Sequence, residues 1–299
     1  MVHSVPARPA ARFHLPVAAP FRLDLTVAAL RRLPANRVDV FDGERYLRAF
    51  SAPRGPVVWS IQYEGGDHLD VRLYGAVDEA RSYLALVERM LAPSFDLGPF
   101  YRRAASGPEL LASLVDRFRG LKPPRFGSLW ESVLNAIPFQ QLSLKSAMTV
   151  LGRRIEASSE PVEFEGRVLY PVPGPDRLLS LPAERIRATG LSGAKARALR
   201  EAAKAIAGGT LDEISLEALD SSALAKKLRS LRGIGRWTAE LILLRGFRRL
   251  DTFPTRDAGA AASLRSVLPG LDPAGLLRQL GPFRGMLYYH LLLARGLSP

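Results

Sequence analysis

Apolar and polar residues alternate over much of the first hundred positions, then from about Tyr101 recur every three or four residues as helices require. Phe21, Leu23 and Leu25 alternate as a half-buried strand should, and a short helical patch follows around Leu30. Residues 37–50 alternate again through Val38, Val40, Tyr46 and Leu47, broken by the turn pair Asp42-Gly43. Residues 57–63 and 69–74 flank Glu64-Gly65-Gly66-Asp67, a composition that predicts a hairpin, and 76–91 predicts an amphipathic helix ended by Pro93. Residues 21–105 therefore predict an α+β domain with a small antiparallel sheet, preceded over 1–20 by a loosely ordered, proline-rich lead-in.

Residues 106–299 predict a helical domain of two subdomains. Helical spacing is found over 109–119, 128–137, 143–155, 183–189, 194–207, 222–231, 236–247, 256–268, 273–280 and 283–294. Pro138 separates two of these, and Ser143 is placed to cap the second. Residues 158–176, with four prolines, predict a surface loop. The fold class is mostly α with an N-terminal α+β domain.

Charge narrows the function. The 299 residues carry a formal net charge of +13, a positive field that attracts phosphate polymers or anionic lipid. Nucleic acid is the leading partner, although an arginine-biased genome produces the same excess. There are no cysteines, which excludes disulfides, Cys-ligated zinc and iron–sulfur clusters. His3, His14, His68 and His290 are too scattered in sequence to suggest a zinc or di-metal site, so no catalytic metal is assigned. No run is apolar and long enough to span a membrane, and the N-terminal stretch has no continuous apolar core. The expectation is a soluble, unexported cytoplasmic protein without membrane contact.

The sharpest local signal is Leu228-Arg229-Ser230-Leu231-Arg232-Gly233-Ile234-Gly235-Arg236-Trp237-Thr238-Ala239, where two helical patterns meet across Gly-Ile-Gly. Gly233 and Gly235 are expected to allow a turn that side chains would block. The helix starting near Arg236 then aims its unpaired backbone N–H groups at whatever lies in front of the turn, and a DNA phosphate fits there. Residues 226–257 hold nine Lys or Arg against three acids, so charge and geometry coincide. A plain αα-hairpin with glycines at its turn is the alternative.

The run from Leu231 to Ala239, then Leu244-Arg245-Gly246, then Asp251-Thr252-Phe253-Pro254-Thr255-Arg256-Asp257, resembles the helix-hairpin-helix DNA glycosylases, and within them DNA-3-methyladenine glycosylase II. Ile137-Pro138-Phe139-Gln140-Gln141-Leu142-Ser143, Gly190-Leu191-Ser192 with Lys195, and Pro282-Phe283-Arg284 leading to His290 extend the likeness from about Phe126 to the C-terminus. The resemblance implies a helix-hairpin-helix glycosylase fold with its hairpin at about 222–247. It also implies a monomeric enzyme, nucleoid-associated, that bends double-stranded DNA, flips out a damaged nucleotide and cuts its N-glycosidic bond.

That cleavage leaves an electron-poor sugar resembling an oxocarbenium ion, which a fixed carboxylate stabilises. Asp257 is the candidate, and simple capping of the next helix is its alternative. Trp237 occupies the position where bifunctional members carry a Schiff-base lysine. A monofunctional, water-using enzyme is therefore expected, acting on alkylated bases of the 3-methyladenine and 7-methylguanine type. Such bases are cationic, and the Trp237 face would attract them, unless the indole is merely core. Gln140 matches a pocket glutamine, while Leu241 and Leu292 stand where the family places aromatics, making the pocket less aromatic. Tyr289, with Tyr288 and Phe283, is a candidate for aromatic lining or for a buried helix face. Gln141 falls at the family's wedge position and is alternatively a helix cap. Gly233, Ile234, Gly235, Arg236 and Thr238 are the expected DNA contacts. A structural Na+ or K+ is implied at the backbone carbonyls of Arg229, Leu231 and Ile234. Two other functions stay open: excision of other damaged or deaminated bases, and DNA binding without catalysis.

Overall fold

The structure, a computed structural model, describes residues 3–296. The N-terminal unit contains β1 (His3–Ser4), β2 (Ala11–Pro16), α1 (Leu23–Arg31), β3 (Val40–Phe41), β4 (Arg45–Phe50), β5 (Val57–Gln62), β6 (His68–Gly75) and α2 (Ala80–Leu91). Five strands form an antiparallel sheet in the order β2-β6-β5-β4-β3, with the β5–β6 hairpin at its centre. Residues 1, 2 and 297–299, parts of the predicted lead-in and helical domain, lie outside the described residues.

Two expectations for this unit are corrected. The lead-in is not loose over its described length: β2 pairs with β6 from Ala11 opposite Leu73 to Pro16 opposite His68, making it a sheet edge. The prolines misled, because Pro16 sits at the strand's end, where a missing N–H costs little. Residues 21–25 are not a strand. Leu23, Val27 and Leu30 continue the apolar set at helical spacing and bury one face of α1 against Trp59, Ile61 and Val71 of the sheet.

The helical part runs α3 (Gly98–Ala105), α4 (Glu109–Arg117), α5 (Leu129–Leu134) and α6 (Leu144–Ser158). After β7 (Val162–Phe164) and β8 (Arg167–Leu169) come α7 (Pro175–Leu179), α8 (Ala183–Ala188), α9 (Gly193–Ala207), α10 (Glu213–Glu217), α11 (Ser221–Arg229), α12 (Arg236–Phe247), α13 (Ala258–Val267), α14 (Pro273–Leu280) and α15 (Arg284–Gly296). Among the described residues no helix is long and apolar enough to cross a membrane. Helix α3, assigned from sequence to the α+β unit, packs in the helical core through Phe100 and Ala104.

The predicted surface loop 158–176 instead contains the hairpin β7–β8, turned at Glu165-Gly166 with both residues at positive φ. Strand β7 pairs in parallel with β1, and Val162, Phe164 and Leu169 pack on Leu47, Ala49, Val58 and Tyr74 of the large sheet. This segment and the chain's start thus cover the sheet face opposite α1.

Buried arginines tie the N-terminal unit to the helices. Arg245 of α12 is fully buried, and its Nη2 donates to the carbonyls of Ala29 and Leu30, at 2.8 Å each, near the C-terminal end of α1. Its guanidinium lies 4.8 Å from the Phe126 ring centroid. Arg48 of β4 donates to Asp39 (2.8 Å) and, through both Nη atoms, to Glu131 of α5 (3.1 and 2.6 Å). Burial alone would lower the Arg48 guanidinium, but Glu131 and Asp39 outweigh it and hold it well above its ordinary value.

Removing one member of such a group leaves buried charge uncompensated. Arg48→Met should destabilise the chain by roughly 3–5 kcal/mol in urea denaturation, because Asp39 and Glu131 lose their shared cation. A variant as stable as the parent would show that the triad is not the strut described.

Candidate active site

The site lies where α12, α13 and α15 meet the loop between α5 and α6. Helices α11 and α12 form the hairpin, and Asp220 caps α11 by accepting from the Ala223 N–H at 2.8 Å. At the turn, Ile234 buries its side chain in the helical core while its N–H donates to the Leu231 carbonyl at 3.1 Å. The two glycines do different work. Gly233 has φ +88°, and a Cβ there would stand 2.3 Å from the Ala198 Cβ of α9, so both conformation and packing require glycine.

Gly235 corrects the sequence expectation. Its φ of −82° suits any residue, and a Cβ there would meet nothing within 4 Å. The turn does not need this glycine; the open space lies directly before α12, whose N-terminus has no side-chain cap. Arg236 is exposed, with its side chain folded onto Glu240 at 2.8 Å.

Gln140 is not a simple pocket wall. Its Nε2 donates to the Gly233 carbonyl (2.8 Å) and to Thr238 Oγ1 (2.9 Å), which fixes the orientation of the amide. Thr238 is buried in this contact, so its hydroxyl is turned inward rather than toward a DNA strand. On the other side of the loop, Lys195 Nζ donates to the carbonyls of Pro138 (3.2 Å) and Gln140. Burial lowers the Lys195 ammonium from its ordinary value. The loop is thereby strapped between α9 and the hairpin, and its tip projects: Gln141 is exposed at φ +54°, and Leu142 beside it is 41% exposed. The cap of α6 is Ser143, accepting from the Ser146 N–H, and not Gln141.

Asp257 is the N-cap of α13. Its Oδ1 accepts from the Ala260 N–H at 2.8 Å, and its Oδ2 accepts from Trp237 Nε1 at 3.0 Å. Capping, one of the two readings of Asp257, is therefore observed, and it uses one oxygen and leaves the other to the indole. Two adjoining spaces share Asp257, Trp237, Phe139, Leu142, Ala258 and Gly259. The inner cavity, about 270 Å³, is also lined by Arg32, Leu241, Tyr288, Leu292 and Arg295. The outer groove, about 670 Å³, is bounded by Gln140, Gln141, Gly235, Arg236 and Arg256. Asp257 thus sits between a pocket near the small end of the ligand-site range and a groove open toward the hairpin.

Tyr289 is a correction. It is fully buried, with its hydroxyl donating to the carbonyls of Pro124 (2.8 Å) and Leu244 (3.2 Å), and burial pushes its phenol up to about 12. Tyr288, one position earlier on α15, faces the cavity instead. Sequence reasoning did not assign Arg32, Phe139, Leu142 or Arg295 to the site. Phe139 and Leu142 lie inside a motif already singled out; Arg32 lies some two hundred residues from Trp237 and reads as the basic end of a helix.

This architecture is shared with known proteins. The chain superposes on the 3-methyladenine DNA-glycosylase of Archaeoglobus fulgidus with a TM-score of 0.78 at 24% identity, covering 96% of this chain and 99% of that one. It also superposes on the Clostridium acetobutylicum 8-oxoguanine glycosylase/lyase, in complex with double-stranded DNA, at a TM-score of 0.71, 18% identity and 92% coverage of both. The chain shares the fold of these glycosylases, and its sequence is similar to those of DNA-3-methyladenine glycosylases. Among curated proteins, the DNA-3-methyladenine glycosylase of Bacillus subtilis is 28% identical over 170 residues, 57% of this chain and 56% of that one. A Mycobacterium tuberculosis probable bifunctional transcriptional activator/DNA repair enzyme AlkA is 29% identical over 275 residues, 85% of this chain and 52% of that one. The chain thus spans little more than half the length of these two relatives. No protein-family model matches it.

The two glycines of the hairpin separate experimentally. Gly233→Ala should cost about 2 kcal/mol or more in thermal denaturation, because strain and the Ala198 contact act together. Gly235→Ala should stay within about 0.5 kcal/mol of the parent. Equal losses at both positions would contradict the assignment.

Proposed function

We propose that the chain is a monofunctional DNA glycosylase of base excision repair, which flips an alkylated base of the 3-methyladenine or 7-methylguanine type out of duplex DNA and hydrolyses its N-glycosidic bond. One observation carries this reading: the Asp257 carboxylate stands at the boundary between a base-sized cavity and an outer groove, held by an indole N–H and a backbone N–H. As the bond to the base lengthens, positive charge grows on the sugar ring, and a carboxylate already fixed beside it stabilises that charge without reorganising. Water then adds to the sugar. The departing base is retained by Trp237 and Phe139 in the inner cavity.

DNA enters from the groove side. The uncapped N-terminus of α12, with open space before Gly235, offers backbone N–H groups to one phosphate. The tip of Gln141 and Leu142 enters the gap that the flipped nucleotide leaves. The Arg229, Leu231 and Ile234 carbonyls would hold a monovalent cation, whose charge would help to seat the phosphate. Leu231, which accepts one hydrogen bond from Ile234, keeps a second lone pair for it. No lysine is among the residues lining either space, and the hairpin position of the Schiff-base lysine is Trp237. The product is therefore an unbroken abasic strand, and the working unit is one chain.

Methylated duplex DNA should lose 3-methyladenine and 7-methylguanine on incubation with the parent chain, leaving sites cleaved only by later alkali. Asp257→Asn should retain DNA affinity within about threefold while release falls at least a hundredfold, the scale of losing one charged stabiliser of a transition state. Borohydride should trap no covalent adduct. Unchanged release by Asp257→Asn, or a trapped adduct, would overturn the reaction; DNA binding with no base released by the parent would leave a binding protein.

A further inference from the structure

The loop between α5 and α6 is anchored chiefly through one residue, which faces two ways. Gln140 Nε2 donates to the Gly233 carbonyl at 2.8 Å and to Thr238 Oγ1 at 2.9 Å, while the Gln140 carbonyl accepts from Lys195 Nζ of α9. Lys195 also donates to the Pro138 carbonyl at 3.2 Å. Directly beyond this anchor, Gln141 has φ +54°, a left-handed conformation that a glutamine keeps only where its surroundings fix it. Leu142 follows, 41% exposed although apolar.

The Gln140 side chain engages the turn that faces the groove. In the peptide unit joining Gly233 to Ile234, the carbonyl accepts from Gln140 and the N–H donates to the Leu231 carbonyl at 3.1 Å, so both polar ends of the plane are fixed. Arg236 opens the uncapped α12 two residues later, where unpaired N–H groups suit a phosphate. One amide thus stands between the phosphate grip and the exposed tip. Its polarity matters, because the Gly233 carbonyl can only accept, and a carboxylate at position 140 would set oxygen against oxygen. Both acceptors of Lys195 are main-chain carbonyls as well. Neither Gln140 nor Lys195 lines the inner cavity, so the pair is set apart from contact with a departing base.

We propose that Gln140 is a positioning residue, whose amide makes insertion of the Gln141-Leu142 tip depend on the hairpin turn, while Lys195 fixes the main chain from which the tip projects. This rests on the reading of the tip as the segment that fills the gap left by a flipped nucleotide. The hold of the hairpin on a phosphate is then transmitted to the tip through Gln140. Lys195, part of a sequence motif that the chemistry leaves unused, acquires a task.

Equilibrium binding reads tip insertion without base release. Two duplexes of one sequence serve as probes, one undamaged and one with a tetrahydrofuran in place of a single nucleotide, an abasic mimic that leaves a gap for the tip. The measured quantity is the ratio of the two dissociation constants within each variant, which cancels changes in phosphate binding common to both. The parent should prefer the tetrahydrofuran duplex, and a chain with its tip trimmed by Gln141→Gly and Leu142→Ala sets the ratio without insertion. Gln140→Met should lower the parent's ratio roughly tenfold toward the trimmed value, the scale of losing two neutral hydrogen bonds. Gln140→Glu, nearly identical in shape, should lose at least as much. Lys195→Met should also lower the ratio, whereas Lys195→Arg should keep most of it, since a guanidinium still donates to carbonyls. In the trimmed chain, Gln140→Met should change the ratio by less than about twofold, because residues that act as a unit are not additive.

A ratio unchanged by Gln140→Met, equal losses in trimmed and untrimmed chains, or no preference in the parent overturns the proposal. Should Gln140→Met fail to fold, Gln140→Glu decides by the same comparison, and Lys195→Met as selective as Lys195→Arg also counts against the account. A parent whose preference falls in Gln140→Met, yet which releases no alkylated base, would sink the glycosylase reading and leave the Gln140 assignment standing. Base release with a ratio indifferent to Gln140 does the reverse.

Discussion

A carboxylate that must meet a cation formed only in passing has to be placed before the cation exists, and in the proposed reaction the candidate site is organised around that constraint. Asp257 has two oxygens and two donors. Ala260 takes one as the first turn of α13 closes, and Trp237 takes the other from across the hairpin. A flexible acid would lose its advantage to reorganisation, since the benefit of a fixed charge lies in its being paid for before reaction. The hydrogen bond from Trp237 also joins the two elements that the proposed chemistry couples, the hairpin facing the groove and the helix that presents the acid.

The surrounding structure keeps those elements in register. Gly233 lets α9 approach the hairpin, Gln140 fastens the projecting loop to the same turn, and Lys195 holds that loop from the other side. Gly246 plays a similar part lower on α12, where a Cβ would stand 2.5 Å from Ser132 Oγ of α5. The N-terminal unit is more than an accessory. Arg245 engages the end of α1 through two backbone carbonyls, and two residues farther the chain places Arg32 in the cavity. The motif Leu244-Arg245-Gly246 is thus explained by packing, with neither Arg245 nor Gly246 lining the site.

Much of this was legible in the residues. The helical periods after Tyr101 correspond to helices at nearly every predicted span, and Asp257, Trp237, Leu241 and Leu292 do converge on one cavity. Errors arose where a local pattern had two physical solutions. Phe21, Leu23 and Leu25 fit a strand until Val27 and Leu30 are counted with them. Tyr288 and Tyr289 are adjacent on a helix, so only the neighbours of α15 decide which ring faces inward. The hairpin β7–β8 was hidden by four flanking prolines, although Val162 and Phe164 alternate as a strand requires and Glu165-Gly166 supplies a turn. Arg32 was illegible for a different reason. Its place in the cavity depends on which of two consecutive arginines follows the final turn of α1 toward residues far along the chain, and no periodicity encodes that.

The most direct test of the central claim removes the donor that holds Asp257 Oδ2. Trp237→Phe keeps an aromatic ring beside both spaces and removes the smaller ring of the indole, with the N–H that bonds the carboxylate. Single-turnover release of 7-methylguanine from methylated duplex DNA should slow by roughly ten- to a hundredfold, the weight of one hydrogen bond to a charged group. DNA affinity and thermal stability should stay near those of the parent. A Trp237→Phe chain that releases the base as fast as the parent would contradict the account, since Asp257 would then work without being held.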